Sequence, residues 1–204
     1  MGCMLSAASC NKWLYEDVFG TTEYKEVWKK IDRDMLGRNS VFFLPYMMGE
    51  RSPINDTDVR GTFVGLSLAT TKYEMALAVL EGVAFALRDC LEVARETGLD
   101  IYRSFICGGG AKSDLWRKII CNVLNVDFDI PKTEAGPGMG AAMLAMVGDG
   151  EYENVQQCIE SVCMIKGTES PDPELSERYE KQYRKFKLIY PSVKDMYKTI
   201  RKMD

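Results

Sequence analysis

An α/β fold with parallel strand pairing is what this sequence predicts, and three observations lead there. Short apolar runs at residues 41–45, 61–68, 104–107 and 126–130 alternate with stretches of helical periodicity. The longest periodic stretch begins at Thr71 with a capping-box pair and stops near Gly98. Finally, Gly108, Gly109 and Gly110 stand in a row between a strand pattern and a helix start. Chains place glycines there when bare backbone must come close to something. With 204 residues and 46% hydrophobic composition, the chain can bury a sizeable core within one domain or at most two.

Each element follows from its own pattern. Leu5, Ala8, Leu14, Val18 and Phe19 fall near helical spacing and predict a helix over residues 4–19, with a second over 24–35. "VFFLP", residues 41–45, reads as a short buried strand that its proline ends. Residues 46–60 are rich in Gly, Pro, Asn and Asp and predict a long ordered loop, of the kind that tends to be functional. "GTFVGLSL" is the next strand. The helix after Thr71 turns Ala76, Val79, Leu80, Val83, Leu87, Cys90, Leu91 and Ala94 toward a core, and Glu74, Glu81, Arg88, Glu92 and Arg95 toward the other side. Strand "SFIC" leads into the glycines, a helix over 114–124 and strand "VDFDI", which Pro131 closes. A turn-rich link then reaches the small residues of "GPGMGAAMLAMVG", which predict a close-packed helix; helices over 153–163 and from Pro173 onward complete the chain.

Composition excludes several chemistries. The 26 basic and 30 acidic residues leave a formal charge of −4, which gives no footprint for nucleic acid. Seven cysteines form no C-x-x-C pair, and histidine is absent, so neither a zinc site nor a His-activated nucleophile is expected. The thiols read as small core residues in a reducing compartment, and cytoplasmic location is the expectation. No apolar run approaches a membrane span, and no membrane partner is expected.

Three motifs carry candidate chemistry. "FICGGGAKSDLW", residues 105–116, ends in Lys112 and Ser113 like a phosphate-loop pattern, but Ala111 stands where that pattern needs its last glycine. What survives is a strand, a glycine turn and a helix N-terminus near Ser113, able to hold phosphate or ribose against backbone, or equally to be a tight turn without a ligand. Gly136, Gly138 and Ala141 fit a dinucleotide fingerprint only weakly, because residues 132–135 separate them from the strand. Close packing of a helix on its sheet explains them better. Tyr179, Tyr183, Phe186, Tyr190, Val193, Tyr197 and Ile200 lie among lysines and arginines, and their spacing predicts a core-facing stripe rather than a nucleic-acid or membrane surface.

Taken together the segments resemble the C-terminal half of the FGGY carbohydrate kinases, the xylulokinase branch above all. "GTFVGLSLATTKYEMALAVLE" is similar to the family's second signature, with "MLSAASCNKW", "FFLPYMMGERSP", "FICGGGAKSDLW" and "GPGMGAAMLA" in order around it. "GERSP", residues 49–53, is similar to the form in xylulokinases and gluconokinases and is expected at the cleft, either contacting ligand or pinned by a Glu50–Arg51 ion pair. The resemblance implies the ribonuclease-H-like, actin-like ATPase fold, with residues 1–204 as a C-terminal nucleotide-binding domain lacking its first strands. It further implies that Gly108, Gly109, Gly110 and Ala111 line the adenosine and α-phosphate site, that Ser113 approaches the adenine, and that Ala7 and Ala8 lie near the phosphates. ATP with Mg²⁺ is the implied cofactor set, and ATP/ADP and a ketopentose such as D-xylulose the implied small-molecule partners. The sugar-binding domain, the catalytic base and the metal-holding carboxylate are expected outside these residues, so that no catalytic or metal-ligating residue is assigned and the chain alone is expected to be inactive. A nucleotide-binding or interaction module without chemistry, or a gluconokinase-type enzyme, is the alternative reading, and a homodimer is left open.

Overall fold

The computed structural model describes residues 2–132 and 136–203. Its centre is helix α3 (Lys72–Glu96), which is buried on every side from Ala76 to Ala86. The Thr71 hydroxyl accepts from the Glu74 N–H, and the Glu74 carboxylate accepts from the Thr71 N–H. Two orphan donors at the helix start are thereby satisfied. Gly82 lets α3 lie against the first strand, since a Cβ there would stand 2.2 Å from the Phe43 carbonyl oxygen.

Around α3 the chain wraps in order. Helix α1 (Ala7–Lys12) continues without a break into a π-helical turn, Trp13–Val18, and α2 (Tyr24–Lys29) and a 3-10 turn (Arg33–Met35) follow. The expected second helix is thus two short pieces, separated where Lys30 ends α2 and the Asp32 carboxylate caps the next turn. Strands β1 (Phe42–Leu44) and β2 (Thr62–Val64) form an antiparallel ladder, with Phe43 opposite Phe63 and their rings 4.5 Å apart. Residues 46–60 between them are a loop, as expected, tied by a bridge between Glu50 and Asp56.

A second, three-stranded sheet has the order β3 (Arg103–Phe105), β4 (Asp127–Pro131), β5 (Ile165–Glu169). Only β3 and β4 are parallel, joined through α4 (Asp114–Leu124); β5 runs antiparallel to β4. The expectation of parallel pairing therefore holds for one pair and is corrected to a mixed arrangement. β5 was not foreseen because "IKGTE" is exposed at four of its five positions and shows no apolar alternation.

Helix α5 (Gly136–Gly148) forms where the small residues stand, but the close packing expected of them is absent. None of its residues is buried, and a Cβ at Gly138 or Gly140 would meet nothing within 4 Å. The weighed fingerprint at Gly136 and Gly138 thus sits on an exposed helix, and residues 133–135 of the link before it lie outside the described residues. After α6 (Val155–Val162), helices α7 (Pro173–Phe186) and α8 (Ile189–Arg201) close the fold. Tyr179, Tyr183 and Phe186 pack on Phe85 of α3 with ring centroids 5.2–6.1 Å apart, whereas Ile200 at the end of the stripe is half exposed.

One residue of α3 reverses its expected side. Glu81 is 3% exposed, and its carboxylate accepts from the Gly37 N–H at 3.1 Å. Burial pushes its pKa up to about 8, against the pull of the Gly37, Tyr179 and Asn39 groups around it. Helical spacing put Glu81 with the solvated charges because α3 was assumed to have one dry face. α7 covers the other.

Candidate nucleotide-binding site

The glycine turn is held by the two elements that flank it. β3 delivers the chain to Gly108, whose φ of +88° and ψ of −175° belong to a region that only glycine populates freely. A 3-10 turn (Gly109–Lys112) follows, closed by the Ala111 N–H to the Gly108 oxygen and the Ser113 N–H to the Gly110 oxygen. The Arg117 guanidinium reaches back to the Ala111 oxygen. Gly110 needs its missing side chain for packing, because a Cβ would stand 2.8 Å from the Trp116 ring. Gly109 differs: a Cβ there would meet nothing within 4 Å.

Two adjoining hollows open at this turn. One, of about 430 Å³, is walled by Ala7, Ala8 and the run Gly108 to Ala111, with Val83, Leu87 and Phe128 behind them. The other, of about 490 Å³, shares Ala8, Gly109 and Gly110 and is completed by Asn11, Tyr24, Trp28, Lys112 and Trp116, with Lys25 and Glu23 the further charged groups. Six of the seven residues singled out from the sequence thus converge, although about one hundred positions separate Ala8 from Gly108. Ser113 stands apart from both hollows. Its hydroxyl accepts from the Trp116 N–H as the cap of α4, and it faces a neighbouring hollow of about 310 Å³ beside Lys25 and Trp28. The α4 N-terminus is also occupied by Asp114, which pairs with Arg117, so it offers an anion less than the sequence pattern suggested.

Sequence reasoning missed the wall built by α2 and α1. Tyr24 and Trp28 lie on an unremarkable amphipathic stretch, and no local signal marks them for a ligand. They are fixed by tertiary contacts: the Trp28 indole N–H donates to the Tyr15 hydroxyl at 3.0 Å, and the Tyr24 hydroxyl donates to the Glu16 carboxylate at 2.7 Å. Asn11 was missed for the same reason. It is 3% exposed, and neither its amide nitrogen nor its amide oxygen has a partner among the described residues.

"GERSP" lines neither hollow. Glu50 is buried, with Oε1 accepting from the Leu5 N–H at 3.1 Å and the Arg51 N–H at 2.7 Å, so it holds the loop to the segment entering α1 rather than pairing with the exposed Arg51 side chain. Burial raises its pKa, against the lowering by the backbone N–H groups of Arg51, Leu5 and Ser52. Among the described residues no group of three His, Cys, Asp or Glu side chains is placed to hold a metal ion. No helix among them is long and apolar enough to cross a membrane.

Comparison with known proteins gives the family and the fold. The pattern of the C-terminal domain of the FGGY family of carbohydrate kinases matches residues 1–148. A xylulose kinase of Staphylococcus epidermidis is 33% identical over 196 residues, which are 96% of this chain and 40% of that protein. Among solved structures, a xyloylose kinase from Brucella ovis superposes with a TM-score of 0.86 at 34% identity, covering 96% of this chain and 40% of that one. A gluconate kinase from Lactobacillus acidophilus superposes equally well, at 0.86, with 26% identity, 98% of this chain and 40% of that one covered. The chain therefore spans about 40% of the length of the relatives it matches.

Proposed function

The chain belongs to the FGGY family of carbohydrate kinases, and from that premise we propose that it supplies the nucleotide side of an ATP-dependent phosphoryl transfer to a ketopentose, D-xylulose giving D-xylulose 5-phosphate. The observation that carries this reading is the convergence of Ala7 and Ala8 with Gly108 to Ala111 on adjoining hollows, one of them walled by Tyr24 and Trp28. A flat base suits aromatic walls, and a sugar phosphate suits bare backbone. In the transfer a sugar hydroxyl attacks the γ-phosphorus, loses its proton, and ADP leaves. Such a reaction gains its rate mainly from positioning and charge compensation.

Within that scheme these residues bind and orient ATP. Lys25 and Lys112 bring two ammonium groups against the single carboxylate of Glu23. Mg²⁺ would accompany the nucleotide and neutralise its phosphates, but the described residues offer no carboxylate cluster that fits it. A cytoplasmic setting suits seven free thiols. The likeness to a gluconate kinase, equal in TM-score though lower in sequence identity, supports a second reading in which the acceptor is gluconate.

The test is titration of ATP by calorimetry into the chain and its Gly109→Val variant. The valine side chain enters the space left open at Gly109, and affinity falls at least tenfold. Unchanged affinity in a folded variant removes the glycine turn from the site.

A further inference from the structure

We propose that Asn11 reads the base of the bound nucleotide and selects adenine over guanine. The inference rests on the reading of the site as one for a nucleoside triphosphate. Asn11 lies at the last turn of α1, where the helix passes into the π-helical turn Trp13–Val18, and such widened turns gather at functional sites. Asn11 is among the residues lining the hollow that Tyr24, Trp28 and Gly109 complete. At 3% exposure both polar atoms of the carboxamide are shielded and unpartnered among the described residues.

An orphaned amide is costly, since each buried donor or acceptor without a partner loses its hydration and gains nothing in return. The fold itself does not need one here. Leucine would fill a similar volume, and α1 and the π-helical turn after it pack by Cys10 and Leu14, which are both fully buried. A ligand that supplies one acceptor and one donor side by side explains the residue. The edge of adenine does so, through a ring nitrogen next to the exocyclic amine, and this is the pairing that Asn makes with adenine elsewhere. Guanine presents two acceptors at the corresponding edge and leaves the amide oxygen facing an oxygen. Both amide atoms are shielded from solvent, so contact with the base requires the carboxamide to turn toward it. Having no partner, it breaks no hydrogen bond in doing so.

The experiment is calorimetric titration of the full 204-residue chain, and of its Asn11→Leu and Asn11→Asp variants, with ATP, GTP and inorganic triphosphate, after circular dichroism has established folding. The wild type is expected to prefer ATP over GTP by tenfold or more, within the range of a bidentate base contact. Asn11→Leu brings the ATP-to-GTP ratio close to one and leaves triphosphate affinity unchanged. Asn11→Asp, which replaces the donor by a second acceptor, lowers affinity for ATP and, more steeply, for GTP, whose edge then faces the carboxylate with acceptors alone. An unchanged ATP-to-GTP ratio in folded Asn11→Leu, or unchanged ATP affinity in folded Asn11→Asp, overturns the role of Asn11 while leaving the nucleotide site standing. Failure of the wild-type chain to bind either nucleotide or triphosphate overturns the site itself, and this inference with it.

Discussion

Adjacent glycines of one turn do different work. Gly108 is required by its backbone, Gly110 by the Trp116 ring, and Gly109 by neither. Alanine at Gly108 should therefore destabilise the chain by about 1–3 kcal/mol, the usual cost of forcing a side chain into a glycine-only conformation. Alanine at Gly109 should leave stability within about 0.5 kcal/mol. Urea denaturation of both variants checks this, and equal losses would contradict the assignment. Glu81 makes a prediction of opposite character, because its carboxyl group is raised from the ordinary 4.5 to about 8 by burial. The folded chain then binds a proton that the unfolded chain has released, so its contribution is full below about pH 4.5 and is lost as pH rises to about 8. Stability should fall across that window by up to about 1.4 kcal/mol per pH unit, and Glu81→Gln should flatten the dependence. A wild-type profile that rises between pH 5 and 8 for reasons removed by the same substitution would refute the sign.

The elements that were legible in the sequence are those whose signals are local. α3 begins at its capping box and stops just before Gly98, whose φ is +85°, because caps are written in adjacent residues. The aromatic stripe of α7 was legible too, and its core end is testable. Phe186→Ala, which removes a ring 5.2 Å from Phe85, should cost about 3–5 kcal/mol of unfolding free energy. A loss below about 1 kcal/mol would mean that α7 is loosely held. What was not legible depended on partners distant in the chain. β5 has exposed residues and exists through its ladder to β4, and Glu81 is buried by α7, which begins ninety residues later. α5 shows the converse failure: its small residues fit a packed helix, yet among the described residues nothing covers its glycines. Of the candidate site, the glycine turn and Ala7–Ala8 were legible through a resemblance. The Tyr24, Trp28 and Asn11 wall was not, since these side chains meet the turn only in three dimensions.

At the scale of the whole molecule, the chain matches about 40% of the length of its kinase relatives, and the chemistry present can be weighed against what phosphoryl transfer needs. The reaction requires a nucleotide, an acceptor hydroxyl, a group to take its proton, and charge compensation at the γ-phosphate, all held within bonding reach. The two hollows at the glycine turn are the ones proposed to serve the first requirement. Their walls contain a single carboxylate, Glu23, together with Lys25 and Lys112, and neither holds an arrangement that would position a sugar hydroxyl and accept its proton. The 204 residues by themselves should therefore bind ATP and release no sugar-dependent ADP. Adding the remaining portion of a xylulose kinase relative as a separate polypeptide should restore turnover, because the missing placement is supplied across an interface rather than within this chain. The assay is ADP release with MgATP and either D-xylulose or gluconate, run on the chain alone, on the added portion alone and on the mixture. Turnover in the mixture that depends on D-xylulose supports the proposed acceptor, and dependence on gluconate instead transfers the proposal to the second reading. Robust sugar-dependent turnover by the purified chain alone would show that a base and a sugar site lie within these residues, and would overturn the division of labour argued from the walls of the two hollows.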